Sequence, residues 1–192
     1  MSRLGDIIET STTTFTTQCY NLYDSPVLGE LVKTNGMYPT YAVAYNIYTE
    51  AIDPSRKPMA RGHNENKEED VYNNNPQLKH LLRTDFQSII IGHKLASRML
   101  YHLPPTPPQI YSFVHTCEEE DTMTITSNTS IIRTLATSNV PAIEEVISAY
   151  IRNASKYQED NTMFFKTIGI NLASYFPGEF KKVESILEKA IT

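Results

Sequence analysis

The chain of 192 residues contains no tryptophan and only two cysteines. Cys19 and Cys117 do not stand at a ligand spacing such as C-x-x-C, which argues against a zinc site and against a secreted disulfide framework, so both are predicted to be core thiols. The N-terminus lacks the apolar segment of a secretion signal, and no run approaches the roughly 18 apolar residues of a membrane span. We therefore expect a cytoplasmic protein without a membrane span.

Basic residues are also scarce. The chain has 17 Lys and Arg against 22 Asp and Glu, which gives a net charge of −5. This balance disfavours nucleic acid as a partner, because phosphate binding needs clustered Lys and Arg. No glycine precedes Lys-Ser or Lys-Thr, so the loop that cradles nucleotide phosphates is missing. The sequence predicts no nucleotide, no other cofactor and no ATPase activity.

The first part of the chain shows the period-two alternation of β-strands. In residues 13–20, Phe15, Thr17 and Cys19 share one face. In residues 41–48, Tyr41, Val43, Tyr45 and Ile47 share one face, and small residues occupy the other. Further strands are predicted at residues 4–9, 27–33, 86–94 and 110–117, with Gly29 in a turn that opens a strand and requires positive φ. The pattern predicts a small six-stranded β-barrel.

From about residue 127 the apolar period changes to that of helices. Stripes of this kind predict helices over residues 141–157, 161–175 and 177–191, with a shorter one near 130–136. A helical insertion is also predicted at about 76–84, since Asn75-Pro76 is a good helix start. The fold class is therefore α+β, with a barrel domain over residues 1–125 and a C-terminal helical bundle over 126–192. We expect proteases to cut first between Cys117 and Thr129.

Residues that could support catalysis or metal binding are scattered. The acidic tract from His63 to Asp70 fits neither a calcium loop nor a helical zinc motif and indicates a solvated loop. The acidic run Glu118–Asp121 indicates a charged linker at a strand end. The histidines His80, His93, His102 and His115 are scattered in sequence, and a lone histidine on a strand is more often structural than catalytic. No catalytic residue and no metal ligand is predicted.

One basic loop is a candidate binding surface. Arg56, Lys57 and Arg61 could contact the phosphates of a single-stranded nucleic acid. Stacking surfaces for its bases could come from Tyr41, Tyr45 and Tyr48. Two observations oppose this interpretation. Tyr41 and Tyr45 share the predicted core face, and acidic residues directly follow the basic loop.

The order of motifs resembles the HAS-barrel, the six-stranded barrel of HerA-type DNA translocases and of ATP synthase catalytic subunits. The resemblance rests on LGDIIETSTTTF at residues 4–15, LGELV at 28–32 and YAVAYNI at 41–47. The excursion at residues 52–62 and the segment from 75 to 105 are similar to stand-alone proteins of this family found chiefly in cyanobacteria. The resemblance covers about 60% of the chain, residues 3–117.

The ATPase domain that follows the barrel in both namesake groups is replaced here by helical sequence. What the resemblance implies is the task of the barrel itself, which is to pack into rings and to dock accessory subunits. We therefore expect a non-catalytic assembly or partner-docking protein that associates with a protein partner such as a ring ATPase or with itself. The expected partner-binding residues are Asp53, Arg56, Lys57 and Arg61. The alternatives are a small barrel that binds single-stranded nucleic acid and, less favoured, an enzyme built from scattered histidines and acids.

Overall fold

The computed structural model describes residues 2–191 and has the α+β class that the sequence predicts. Its seven strands, β1 to β7 in chain order, are Arg3–Thr10, Thr14–Cys19, Leu31–Thr34, Thr40–Ala51, Leu82–Leu95, Arg98–Leu100 and Phe113–Thr116. Its six α-helices, α1 to α6, are Glu68–Asn74, Glu119–Thr126, Ile131–Ala136, Ile143–Ser155, Asn161–Tyr175 and Phe180–Ile191. None of the helices in this part of the chain is long and apolar enough to cross a membrane.

The strands form one antiparallel sheet in the order β2-β1-β7-β3-β4-β5-β6. Strand β2 also pairs with β5, through residue pairs from Thr14 and Ile89 to Gln18 and Asp85. Hydrogen-bonded pairing therefore runs from β2 through β1, β7, β3, β4 and β5 and returns to β2. The seventh strand, β6, pairs with β5 alone as the short return of a hairpin. The sheet thus has seven strands where the sequence predicts six, since β6 carries only three residues and no alternating pattern.

The inner face of this sheet holds a core to which all six of the linked strands contribute. Its buried residues are Leu4, Ile7, Phe15, Cys19, Val32, Ala42, Ala44, Phe86, Ile90 and Val114. Cys19 is therefore a core thiol, as predicted, and burial is the largest cause that raises its pKa to about 12. The other thiol, Cys117, is free and packs against the second core.

The first part of strand β4, residues 40–44, is buried on both faces, because its small residues face inward and its large ones face the helices. Tyr41 and Val43 belong to the helix-side core, whereas Ala42 and Ala44 belong to the inner core. The register shifts between Ala44 and Asn46, and past this irregularity Ile47 packs against the inner core. The predicted grouping of Ile47 with Tyr41, Val43 and Tyr45 is therefore wrong. A β-bulge breaks the strict period of two.

The helices cover the outer face of β3, β4 and β5. Leu31, Tyr41, Val43, Ile89 and Ile91 of the sheet share one core cluster with apolar residues of α2 to α6. The apolar stripes predicted from the sequence are the faces that pack there, so the four predicted C-terminal helices are confirmed. Asp160 caps α5, its side chain accepting a hydrogen bond from the Met163 amide at 3.0 Å.

Gly29 allows β3 to begin directly beneath helix α4. Its φ of +75° lies in the left-handed region, which confirms the predicted turn glycine. A β-carbon at this position would stand 2.4 Å from the Tyr150 amide nitrogen and 2.6 Å from the Ala149 carbonyl carbon. The obstacle to a side chain at Gly29 is therefore the backbone of a helix more than a hundred residues away in sequence.

Two predicted boundaries require correction. The helical insertion consists of α1 and a 3₁₀ turn at Pro76–His80, and β5 already begins at Leu82, so no helix extends over 76–84. The acidic run at the end of β7 is not a linker, because Glu119 begins helix α2. The domain boundary between residues 125 and 126 stays a prediction. The helix-side core contains residues from both parts of the chain.

Candidate functional site

The four predicted partner-binding residues lie along one groove, which we call the loop groove. It runs between the chain that leaves β4 and the 3₁₀ turn that leads into β5, and it has a volume of about 490 Å³. The Ile52 amide donates a hydrogen bond to the Leu81 carbonyl at 2.9 Å and joins the two walls. The groove is lined by Ala51, Ile52, Asp53, Arg56, Lys57, Pro58, Met59, Arg61, Leu78, His80, Leu81 and Leu82.

Local hydrogen bonds shape the wall that carries Asp53. The Asp53 carboxylate accepts from the Ser55 amide at 3.0 Å and from the Ser55 hydroxyl at 2.6 Å. These bonds lower the pKa of Asp53, so the carboxylate is charged at neutral pH. The Arg56 amide donates to the Asp53 carbonyl at 3.0 Å, and the Arg56 guanidinium pairs with the Asp53 carboxylate at 3.3 Å. Asp53 therefore organises the turn that presents Arg56.

The cations of the groove differ in how much of their charge is already paired. Arg61 donates to the neutral side-chain oxygen of Asn75 at 3.1 Å and keeps its full charge. Lys57 makes no hydrogen bond or ion pair within the described part of the chain. The exposed pair between Arg56 and Asp53 gains little from its own attraction, because water screens it. The rim of the groove is therefore cationic.

The floor of the groove is apolar and open to solvent. Ile52 is 49% exposed, Met59 78% and Leu81 48%. Large apolar side chains that are exposed together and rimmed by charge are typical of surfaces that bind another molecule. This combination can bury apolar residues of a partner and pair with acidic groups at the edge.

The tyrosines proposed as stacking surfaces do not lie free beside this groove. Tyr41 is only 1% exposed and its hydroxyl donates to Asp121 at 2.9 Å. As the sequence predicts, Tyr41 lies in the helix-side core, and Tyr45 packs against it as a partly buried residue.

The histidines do not gather at one site, although the rings of His93 and His102 are in contact. His93 is 1% exposed, and its Nδ1 lies 3.1 Å from the His102 carbonyl oxygen while its ring contacts Tyr38 and His102. His80 lines the loop groove, and His115 pairs across strands with Lys33 and Arg3. Over residues 2–191, no three His, Cys, Asp or Glu side chains come together as a metal-binding group.

A buried charge cluster joins helix α2 to the sheet, and it was not predicted from the sequence. The Asp121 carboxylate, 7% exposed, accepts hydrogen bonds from Lys33 at 2.8 Å, from the Tyr41 hydroxyl at 2.9 Å and from Lys94. Burial alone would raise the pKa of Asp121, but the bonds from Lys33, Lys94 and Tyr41 lower it to about 2. Asp121 thus anchors α2 through charge.

A signal for this cluster was present in the sequence. Asp121, Thr122, Ile125 and Thr126 recur at helical spacing and are the residues that α2 buries. The run of acids before them obscured that stripe. Which lysines the carboxylate meets depends on strand pairing, because Lys33 and Lys94 are separated by 60 residues of chain.

No protein-family model matches the chain, and a search of curated proteins finds no match. A functional assignment therefore rests on the topology of the sheet and on the chemistry of the loop groove.

Proposed function

We propose that the protein is a non-catalytic docking module, a HAS-type barrel that binds a protein partner through the loop groove. The proposal rests on one observation: the loop groove combines an exposed apolar floor with three cations along its rim. A ring ATPase of the DNA-translocase or ATP-synthase type is the partner class that the motif resemblance suggests.

The sheet topology supports the barrel part of the proposal. Six antiparallel strands are linked in a continuous ladder, and each contributes to a common inner core. Strand pairing that returns to β2 leaves few free edges, which limits unspecific pairing with other chains. A rigid support of this kind suits a protein whose binding residues lie on a loop.

The chemistry of the groove defines the partner segment more closely. Ile52, Met59 and Leu81 would bury apolar side chains, since burial of apolar surface is the main source of affinity. Arg56, Lys57 and Arg61 would pair with carboxylates that flank those side chains. The expected partner is a peptide segment with two or three apolar residues between acidic ones.

A binding assay with substituted baits tests the proposal. Three proteins serve as baits to capture partners from the native host. The first is the wild type, and the second is a groove variant with Arg56→Gln, Lys57→Gln and Arg61→Gln. The third is a control variant with Arg98→Gln, Lys166→Gln and Lys181→Gln. The two variants lose the same charge, and the three control residues are exposed and outside the groove. Captured proteins are purified and titrated against each variant, and sedimentation of the wild type measures self-association.

We expect one partner, or the protein itself, to bind the wild type and the control variant but to bind the groove variant at least tenfold more weakly, because interface arginines commonly contribute more than 1 kcal/mol. Equal binding by all three proteins would show that the groove is not the docking site. Absence of both a partner and self-association would contradict the docking function itself.

A further inference from the structure

A second cleft, separate from the loop groove, lies between the sheet and the short helix α3. It has a volume of about 750 Å³, within the roughly 300–1,000 Å³ range of small-molecule sites. Its walls come from the start of β2, from β4 and β5, from the chain after β6 and from the connection between α3 and α4. None of the residues of the loop groove lines it.

The polar groups that line this cleft include several without an internal partner. Arg133 lies on α3 and forms no hydrogen bond or ion pair through its guanidinium among residues 2–191. The hydroxyls of Thr13 and Thr134 and the side-chain amide of Asn139 likewise have no partner there. By contrast, Ser138 donates to the Leu135 carbonyl at 2.6 Å and is satisfied within its own turn. The cleft therefore presents one unpaired positive charge and several free hydrogen-bonding groups.

The other side of the cleft is apolar. Tyr45, Tyr101 and Val140 line it and pack against the helix-side core, and Ile89 forms part of its floor. The Tyr101 hydroxyl donates to the Thr124 carbonyl at 3.1 Å, which fixes that ring in place. Tyr45 is partly buried, and its hydroxyl has no partner among residues 2–191; burial raises its pKa, so the hydroxyl keeps its proton at neutral pH and can donate a hydrogen bond. An apolar wall with a few polar groups is the usual composition of a ligand site.

The positive charge of Arg133 favours a negatively charged ligand in the cleft. Among residues 2–191, no Asp or Glu lines it, so no charge on the described walls compensates Arg133. Guanidinium groups bind carboxylates and phosphates through paired hydrogen bonds, and such charge-assisted bonds are about twice as strong as neutral ones. A cation would meet repulsion there, and a wholly apolar ligand would leave the arginine and hydroxyls unused.

We propose that this cleft binds a small organic anion whose acidic head group pairs with Arg133 and whose apolar body lies against Tyr45, Ile89 and Val140. The site is independent of the docking function proposed for the loop groove, because the two share no residue. Its ligand would therefore be bound by the full chain with or without a protein partner.

Titration calorimetry with octanoate tests the proposal, with 1-octanol as a ligand of the same carbon number that lacks the charge. We expect saturable binding of octanoate to the wild type and at least tenfold weaker binding of 1-octanol. Arg133→Gln should weaken octanoate binding by roughly tenfold to hundredfold, the loss typical of a hydrogen bond to a charged group. Arg133 is exposed, so this variant is expected to fold.

Three further variants make the result specific. Arg98→Gln removes another exposed arginine that does not line the cleft and should bind octanoate as the wild type does. Val140→Trp should fill the cleft and abolish binding, and because the natural chain has no tryptophan its emission reports whether the new side chain is buried. The groove variant that lacks Arg56, Lys57 and Arg61 should bind normally.

Absence of saturable octanoate binding to the wild type would overturn the proposal. So would equal binding of octanoate and 1-octanol, or a loss of binding in the groove variant but not in Arg133→Gln. The last result would place the anion in the loop groove, and none of these results depends on whether the groove docks a protein.

Discussion

Gly29 is the residue at which local conformation and long-range packing coincide. Its positive φ strains any side chain, and its missing β-carbon leaves space for the backbone of α4 at Ala149 and Tyr150. Two other glycines separate these effects. Gly178 has a φ of +82° with open space around it, and Gly36 has open space and no positive φ.

We expect Gly29→Ala to lower the free energy of unfolding by about 3 kcal/mol, because strain adds to displacement of a helix. Gly178→Ala should cost about 1 kcal/mol from strain alone, and Gly36→Ala should be close to neutral. Urea unfolding of the three variants measures the differences. If Gly29→Ala costs no more than Gly178→Ala, then α4 does not pack closely against the start of β3.

Asp121 gives the stability a specific dependence on pH. Its pKa is about 2 in the folded protein against 3.8 as the ordinary value, so the folded state favours the charged carboxylate. The resulting stabilisation is fully present above about pH 4 and is lost as pH falls towards 2. A difference of this size corresponds to about 2 kcal/mol.

We expect the Asp121→Asn variant to be less stable by about 3 kcal/mol at neutral pH, since it leaves the buried Lys33 with only the exposed Glu118 carboxylate, 3.7 Å away, as a counter-charge. It should also lose less stability than the wild type does between about pH 4 and 2. Urea unfolding across this range tests both effects, with the exposed Glu119→Gln as the control. An acid-induced loss of the same size in Asp121→Asn and in the wild type would show that the cluster does not hold a charged carboxylate.

At the scale of elements, the segment between β4 and α1 is held to the rest of the protein by few contacts. Residues 53–63 are all exposed, and few backbone hydrogen bonds join them to the rest of the protein. The segment from Cys117 to Thr129, in which the sequence predicts the first cleavage, instead contains α2 with buried Asp121 and Ile125. Proteolysis requires local opening, which costs least where few contacts are broken.

We therefore expect thermolysin to cut the native protein first within residues 53–66. Mass spectrometry of the early fragments identifies the site, and a sample unfolded in urea is the control for the intrinsic preference of the protease. Early cleavage between residues 117 and 129 would mean that α2 opens readily and that the original prediction is right.

At the scale of the whole molecule, the net charge of −5 opposes approach to a phosphate backbone. The three cations of the loop groove are too few to offset it, and Asp53 stands among them. We expect binding to a single-stranded oligonucleotide to be no tighter than the non-specific range of about 10⁻⁴–10⁻⁶ M at physiological salt. Fluorescence anisotropy measures it, with the groove variant as control. Sub-micromolar binding that is lost in the groove variant would favour the nucleic-acid alternative.

Much of the secondary structure followed from the sequence because it is encoded by local periodicity. The four C-terminal helices have apolar stripes that could only be buried by packing, and Phe15 and Cys19 alternate as residues of a half-buried strand do. The predictions were wrong where a local signal was weak or ambiguous. A bulge after Ala44 reversed the face of Ile47, and a run of acids concealed the buried stripe of α2.

The sequence by itself determined the α+β class, the turn at Gly29 and the position of the basic loop, because each depends on residues close together in the chain. Only the tertiary structure decided that β2 pairs with β5, that Asp121 meets Lys33 and Lys94, and that Arg133 and Tyr45 line one cleft. The two lysines that bond to Asp121, for example, lie 88 and 27 positions from it in the sequence. Side-chain periodicity carries no information about which distant segments meet, since that choice is made by the packing of all the elements together.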